Sequence, residues 1–472
     1  MLWLRGPSGD ARRRWLSRAF SSTHNEHDHG VLAWGSGAQG ALGIRNTRDQ
    51  YEPEHMQHDL LPPDVAAVGA GHFTSFAVTS GGHLWSWGRA REGQLGRPLR
   101  HDEAELSAAP APVQGLAGQK VVAATGSGVA SFALTASGTV WSWGSSSCGQ
   151  LGLGRQRQKA PAPQRVKGVP ESVVQLAAGW GHAAALTGRS DETGKEGDVY
   201  TWGWPADGRL GHSFAATGHA EEDGAQAPEQ RCVWQPQRVE LLRTVKVQQI
   251  ACGGDHTMAL AQDGTLFTFG SNSLAQLGRP SPRGGEHQQP RDAGAWLVNP
   301  EASCGSGMRF LRVAAGLAHC LAVAQDGSVL SWGWNSSGQL GLGQFVTDQV
   351  IKRPTPIYGI PNNRYARIAA GRLHSVLVTD DVLRNPSSVL LKRTVVHTMC
   401  YRCVAAPAAA PAAALPGRTA VGTSNWGSAT NGRLGTGMFE DAYYPELLPD
   451  VDGDVLEAVA AGLDHTLLLV RL

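Results

Sequence analysis

Two short motifs alternate along the 472 residues, and their regular spacing restricts the possible folds more than any other feature. The first is a Trp-Gly or aromatic-x-aromatic-Gly element, and the glycine of a Leu-Gly pair follows each copy after eight residues without exception. A sequence that repeats at a regular spacing is typical of architectures in which each unit needs its neighbours to bury a common core. The glycines of the seven Trp-Gly elements are Gly35, Gly88, Gly144, Gly203, Gly270, Gly333 and Gly427.

The second motif is Ala-Ala-Gly-x-x-His followed by apolar residues, and it also occurs seven times in degraded form. Where nothing is inserted, its glycine lies seventeen residues before the Trp-Gly glycine, as from Gly316 to Gly333. If the repeats are arranged side by side in a closed ring, residues at equivalent positions of successive repeats do not converge on one substrate. We therefore interpret the histidines of this motif as structural hydrogen-bonding groups between strands: His182, His256, His319, His374 and His465.

The residues between the motifs show the pattern of short strands. Residues 264–270 alternate apolar and small or polar side chains, which is the period-two pattern of a half-buried strand. Gly138, Gly264 and Gly327 stand where tight hairpin turns need a residue at positive φ. One small sheet cannot bury both of its faces, whereas sheets arranged radially cover one another. The sequence predicts an all-β fold, a seven-bladed β-propeller over residues 30–472.

The two ends of the chain each carry half of a repeat. Residues 31–43 contain a lone Trp-Gly half, and residues 459–470 contain a lone Gly-x-x-His half. Neither half makes a complete unit, but together they make one. We therefore expect the N- and C-terminal halves to form one shared blade that closes the ring.

The paired motifs resemble those of the regulator of chromosome condensation family. The resemblance covers residues 30–472 apart from insertions, and it implies a seven-bladed propeller. Members of that family serve as exchange factors, photoreceptors, inhibitors and scaffolds, so the fold by itself does not determine the function.

The first 22 residues differ in charge from the rest of the chain. They contain five arginines and one acid, Asp10, interleaved with Trp, Leu and Phe residues. An Arg-rich, acid-poor leader is typical of an organelle transit peptide, and Arg18-Ala19-Phe20 resembles a matrix processing site. Residues 1–22 therefore predict import into the mitochondrial matrix, with a plastid or nuclear location as the alternative. The whole chain has 41 basic and 40 acidic residues, and removal of the leader leaves 41 − 5 = 36 basic and 40 − 1 = 39 acidic residues. With a net charge of −3, the rest of the chain is not a general nucleic-acid binder.

A long segment interrupts the sixth unit of the repeat. We expect residues 382–423 to be a low-complexity insertion, either a real module or a gene-model artefact, because residues 405–416 are almost entirely Ala and Pro. His397, Cys400 and Cys403 provide too few ligands for a closed zinc site. We expect no metal, no cofactor, no membrane span, and free thiols rather than a disulfide framework from the seven scattered cysteines.

Three functional classes compete. The sequence contains no phosphate-binding loop, nucleophile elbow or metalloprotease helix, so we do not expect an enzyme. In the nuclear founder of the family, a wedge-like segment of one blade inserts into the GTPase, and it lengthens the sequence that follows a Trp-Gly element. All seven Trp-Gly to Leu-Gly gaps in this chain are eight residues long, so no wedge is visible at that place. In the plant UV-B photoreceptor a Gly-Trp-Arg-His-Thr motif recurs, whereas only Trp180 occupies that tryptophan position here.

The preferred hypothesis is a non-enzymatic interaction propeller in mitochondria. Similar proteins with transit peptides imply a scaffold or assembly factor in organellar RNA processing or ribosome biogenesis. The alternative is a guanine-nucleotide exchange factor for a small GTPase, and a UV-B photoreceptor relative is the least favoured. We expect a monomer whose partner is a protein, such as a GTPase or an organellar ribonucleoprotein.

The candidate interaction face follows from the two positions after each repeat glycine. In the photoreceptor relatives the matching positions form the partner-contacting cluster, so we expect them to surround one face of the disc here. A nucleic-acid face would need several Lys or Arg residues, and this set has one. The predicted face residues are Phe73, Trp180, Asp255, Leu317, Arg372, Leu463 and Asp464.

Overall fold

The computed structural model describes most of the chain apart from the predicted leader and the predicted insertion. The predicted leader, residues 1–22, lies outside the described residues, as does nearly all of the predicted insertion, residues 382–423, with its candidate metal ligands. The described residues are 29–99, 101, 105–188, 197–212, 232–279, 296–297, 308–360, 367–378, 381–382, 392–393, 423–448 and 455–471.

The described residues form short strands with a few single-turn 3-10 helices, among them Ala206–Gly208, Glu240–Leu242 and Thr430–Gly432. The strands are, in chain order, β1 (His29–Gly35), β2 (Gln50–His55), β3 (Val65–Ala70), β4 (Thr74–Thr79), β5 (Leu84–Arg89), β6 (Leu106–Pro112), β7 (Val121–Gly126), β8 (Ala130–Thr135), β9 (Val140–Ser145), β10 (Lys159–Arg165), β11 (Val173–Ala178), β12 (His182–Thr187), β13 (Val199–Gly203), β14 (Val233–Arg238), β15 (Val247–Cys252), β16 (His256–Ala261), β17 (Leu266–Gly270), β18 (Trp296–Leu297), β19 (Phe310–Ala315), β20 (His319–Ala324), β21 (Val329–Trp334), β22 (Val350–Pro356), β23 (Arg367–Ala370), β24 (His374–Val378), β25 (Asp381–Val382), β26 (Lys392–Arg393), β27 (Thr423–Gly427), β28 (Ala442–Leu447), β29 (Val455–Ala461) and β30 (His465–Arg471).

These strands pair into seven four-stranded antiparallel sheets and one two-stranded sheet, β25 with β26. Six of the four-stranded sheets have strands of four to seven residues, and in the remaining one the outermost described strand, β18, has two. We number the sheets as blades, from the innermost strand outward: blade one is β3–β6, blade two β7–β10, blade three β11–β14, blade four β15–β18, blade five β19–β22, blade six β23, β24, β27 and β28, and blade seven β29, β30, β1 and β2.

The innermost strands contact one another in sequence around the ring. β3 contacts β7, and the contacts continue through β11, β15, β19, β23 and β29 back to β3. The prediction of an all-β propeller is confirmed. The buried core lies between blades: Phe132 of blade two, for example, packs edge-on against Trp202 of blade three, with ring centroids 5.9 Å apart.

The two ends of the chain meet in blade seven, as predicted. Strand β30 lies between β29 and β1, and its register with β1 runs without a shift from His29↔Arg471 to Gly35↔His465. The side chains of residues 467–470 in β30 have no exposed surface. The last strand of the chain therefore closes the ring by holding the first.

The strand register places two sets of loops on the same side of the disc. In every blade the Trp-Gly glycine pairs with the residue at the histidine position, as Gly203 pairs with His182. The loops between first and second strands (inner loops) therefore lie at the same end as the loops between third and fourth strands (outer loops). We call this side the upper face.

One disulfide differs from the expectation of free thiols. Cys148, in the outer loop of blade two, is bonded to Cys232, which directly precedes β14 of blade three. The sequence separation of 84 hides this pairing, because the ring brings residues of adjacent blades together. Among the described cysteines, Cys252 and Cys320 are free. No helix in the described part of the chain is long and apolar enough to cross a membrane.

Candidate interaction face

The Trp-Gly glycines allow the third strand of each blade to pass close to the inner loop. All seven have φ between +103° and +119°. A Cβ on Gly427 would lie 2.1 Å from the Leu373 carbonyl oxygen, and one on Gly88 would lie 2.4 Å from that of Phe73. No side chain fits there, so glycine at these positions allows the third strand to lie directly against the inner loop.

The repeated histidines connect adjacent blades. His319 Nε2 lies 3.0 Å from Ser375 Oγ of the next blade, and His465 Nε2 lies 2.9 Å from Ser75 Oγ of blade one. Both hydroxyls donate onward to backbone carbonyls, so each accepts its hydrogen bond from the Nε2–H tautomer. The same position makes the same type of contact in the other three: His182 with Thr257, His256 with Cys320 and His374 with Thr466.

These histidines are neutral because they are buried. Burial lowers the pKa of His256 to about 3, and it lowers the pKa of His319 and His465 to about 4. A general acid or base works best with a pKa near the operating pH, which these groups lack. They hold blades together, and nothing in their geometry indicates catalysis.

The inner loops form a chain of backbone hydrogen bonds around the upper face. The Trp180 amide donates to the Gly254 carbonyl (3.1 Å), Gly254 donates to Leu317 (3.0 Å), and Leu317 donates to Gly371 (3.0 Å). Arg372 then donates to Leu463 (2.8 Å), and Leu463 donates to His72 of blade one (3.2 Å). The predicted face residues are thus brought together along one arc, although not all are accessible.

Leu463 does not belong to the exposed set, contrary to the prediction. It retains 3% of its surface, and its backbone is hydrogen-bonded to both Arg372 and His72. Trp180 is 43% exposed. Phe73 and Leu317 are partly buried.

The two predicted aspartates bind arginines of the preceding blade. Arg209 Nη1 lies 2.6 Å from Asp255 Oδ1, and Arg433 Nε donates to Asp464 Oδ1 at 2.7 Å. Both arginines are almost fully buried, and Arg372 shares Asp464 at 3.4 Å. The aspartates therefore compensate buried cations, and they are not free to serve as binding anchors.

A cluster of aromatic side chains remains accessible on the upper face. The Trp180 ring stacks on His72 with centroids 5.1 Å apart, although the two residues come from blades three and one. Sequence reasoning missed Trp204, which is 42% exposed and lies over the Arg209 guanidinium at 4.7 Å. We call His72, Phe73, Trp180 and Trp204 the aromatic cluster. The sequence signal for Trp204 is its position directly after Gly203, where the third strand of the blade ends.

Little else on this face is suited to chemistry. Among the described residues, no group of three His, Cys, Asp or Glu side chains is placed to hold a metal ion. Burial, and then the charge of Arg372, lower the pKa of His72 to about 4, so this ring is a neutral stacking partner. The arrangement is suited to binding a partner through aromatic surfaces.

Comparison with known proteins identifies relatives over most of the chain. A family model described as RCC1-like domain matches residues 30–383. Human E3 ubiquitin-protein ligase HERC2 is 29% identical over 354 residues, which are 74% of this chain and only 6% of HERC2. The mitochondrial RCC1 domain-containing protein RUG3 of Arabidopsis thaliana is 29% identical over 371 residues, covering 74% of this chain and 75% of RUG3.

A solved structure shows the same fold. The propeller is similar to that of Prp20p from Saccharomyces cerevisiae, a structure described with its binding properties to Gsp1p and histones, with a TM-score of 0.70. The match covers 95% of this chain and 93% of Prp20p at 20% identity. At that identity the similarity concerns the fold alone.

Proposed function

This chain belongs to the RCC1-like domain family, and on that premise we propose that it is a non-enzymatic protein-interaction propeller in mitochondria. Its role is that of a scaffold or assembly factor in organellar RNA processing or ribosome biogenesis. The partner binds on the upper face, through the aromatic cluster.

The exposed tryptophans are the observation that carries this proposal. Trp180 and Trp204 leave more than two fifths of their surface in water, although such side chains are usually buried. Tryptophan is enriched in the residues that dominate protein-protein binding energy. Arg209 and Arg433 beneath this face are buried and paired with carboxylates, so they offer no cations to a phosphate backbone. These features favour a protein partner.

Two observations support the mitochondrial location. The leader has five arginines and one acid within residues 1–22, and the relative RUG3 of Arabidopsis thaliana is a mitochondrial protein. A protein imported into the matrix encounters the organelle's own ribosomes and transcripts, which supports a role in their maturation.

Truncation of the aromatic cluster is expected to release the partner without unfolding the propeller. Trp180→Ala combined with Trp204→Ala should reduce partner recovery from isolated mitochondria by at least about tenfold, because each interfacial tryptophan contributes ~2 kcal/mol or more. The matched control is Tyr358→Ala, since Tyr358 is 77% exposed and follows β22 at the opposite side of the disc. Unchanged recovery with the double variant would exclude the cluster as the binding site.

The leader is expected to direct import. A fluorescent reporter fused to residues 1–40 should enter mitochondria, and changing Arg12, Arg13 and Arg14 to Glu should prevent import by reversing the charge of the leader. Microscopy of the two fusions makes the comparison. A cytosolic or nuclear signal from the unaltered fusion would contradict the mitochondrial assignment.

The exchange-factor alternative predicts a different result in the same pull-down. It requires a small GTPase among the recovered proteins, and nucleotide release from that GTPase must be faster when the propeller is added. Recovery of ribosomal or RNA-processing proteins without such acceleration favours the scaffold.

A further inference from the structure

A second aromatic surface lies at the outer edge of the disc, along the outer strand of blade six and at the junction of blade six with blade seven. Phe439 is 77% exposed and Met438 51%, and both lie in the outer loop of blade six. The Phe439 ring lies 4.7 Å from the ring of Tyr51 in β2. Tyr443 and Tyr444 of β28 are 40% and 42% exposed and lie beside the outer loop of blade five, at Gly338 and Gly343, so the aromatic surface continues along the outer strand of blade six. We call the following residues the rim patch: Tyr51, Glu52, Glu54, Met438, Phe439, Glu440, Tyr443, Tyr444 and Glu446.

Backbone contacts hold the rim patch in place. The Gly437 amide donates to the Tyr51 carbonyl at 2.7 Å, which fixes the outer loop of blade six against β2. Gly432 has a φ of +73°, and a Cβ there would lie 2.2 Å from the Gln50 carbonyl oxygen. The two blades therefore approach as closely as backbone allows. The backbone of the outer loop that carries Met438 and Phe439 is therefore held against β2.

The glutamates of the rim patch carry uncompensated negative charge. Glu52, Glu54 and Glu440 are exposed and Glu446 is partly buried. Within the described ranges, none of the four forms an ion pair. Burial, and then the negative charge of Glu440, raise the pKa of Glu446. A cation placed beside Glu440 and Glu446 would relieve this repulsion.

The backbone of the rim patch is poorly suited to adding another strand. β28 is the outermost strand of its sheet, but Pro445 within it has no amide hydrogen to donate. Pro53 has the same effect in β2. Strand addition at these edges is therefore disfavoured, and recognition has to use side chains. Aromatic rings beside carboxylates attract guanidinium and ammonium groups.

We propose that the rim patch binds an extended, Arg- or Lys-rich segment of a partner protein, whose cations pair with the glutamates and lie over the Phe and Tyr rings. Charge complementarity selects this occupant, since the four carboxylates repel a nucleic acid. The site is separate from the aromatic cluster of the upper face, so the inference goes beyond the proposed function and does not depend on it.

Fluorescence anisotropy with the full chain tests the proposal. The probe is a fluorescein-labelled peptide of Arg-Ser-Leu repeats, and its matched control is the same peptide with Glu in place of Arg. Glu440→Gln with Glu446→Gln should weaken binding of the Arg probe at least about tenfold, and Phe439→Ala with Tyr444→Ala by a similar factor. The Glu probe should not bind measurably.

Two control variants separate the rim patch from general effects. Glu105→Gln with Glu171→Gln changes the net charge equally at exposed glutamates that are paired with Arg91 and Arg165, and it should leave binding within about twofold of wild type. Trp180→Ala should also leave it unchanged, which distinguishes this site from the proposed partner face.

Three outcomes would overturn the proposal. The first is equal affinity of the rim variants and the control variants for the Arg probe. The second is a concentration-dependent dimer that the rim variants abolish, because the patch would then bind a second copy. The third is tighter probe binding when Arg12, Arg13 and Arg14 are changed to Ala, because the chain's own leader would then be the occupant.

Discussion

Deletion of residues 459–472 is expected to unfold the propeller. The truncation removes β30, whose side chains at 467–470 are fully buried between β1 and β29. Their burial contributes on the order of 8 kcal/mol, which is comparable with the ~5–15 kcal/mol stability of a whole domain. The deletion also removes the contacts of His465 with Ser75 and of Thr466 with His374.

Thermal denaturation followed by circular dichroism measures the effect. Removal of residues 1–22 is the control, and it should shift the melting temperature by no more than a few degrees because the propeller begins after them. Removal of residues 382–423 should likewise cost far less than loss of the last strand. Equal melting temperatures for the three truncations would show that the ends of the chain do not close the ring.

Mild acid is expected to destabilise the protein steeply. The folded-state pKa is about 3 for His256 and about 4 for His72, His319 and His465, below the ordinary value of 6.5. Between the folded-state pKa values and pH 6.5, the unfolded chain therefore binds more protons than the folded protein. The stability that these groups provide is complete above pH 6.5 and is lost as the pH falls toward 4, at ~1.4 kcal/mol per pH unit for each histidine.

Chemical denaturation between about pH 7.5 and about pH 5.5 measures this dependence. His319→Gln keeps a hydrogen-bond donor near Ser375 but removes one titrating group, so between these two pH values its stability should fall by ~1.4 kcal/mol less in total than that of wild type. Carboxylates titrate mainly below this window. A stability that does not change between the two pH values would contradict the burial of neutral histidines.

The blades could be predicted because their signals are local. Each Trp-Gly element, hairpin glycine and Leu-Gly pair lies within one repeat, so spacing alone reveals strand order and the shared blade. The contacts between blades have no such signal, because the ring sets their partners. Cys148 and Cys232 illustrate this, as does the stacking of Trp180 on His72 across two blades.

Two ion pairs between blades do leave a trace in the sequence. Of the seven residues that precede a Leu-Gly pair, only Arg209 and Arg433 are arginines. The next blade then has Asp255 or Asp464 directly before its histidine, and no other blade has an acid at that position. Comparison of the repeats position by position would have assigned these aspartates to ion pairs, instead of to a partner surface.

Cross-linking mass spectrometry of the protein captured with its partners from isolated mitochondria tests the central claim most directly. If the propeller is an interaction scaffold that binds through its aromatic cluster, cross-links should concentrate on the upper face, within the inner loops and the outer loop that carries Trp204. Cross-links that instead cluster on the opposite side around Tyr358, or the capture of no partner by the intact protein, would contradict the account.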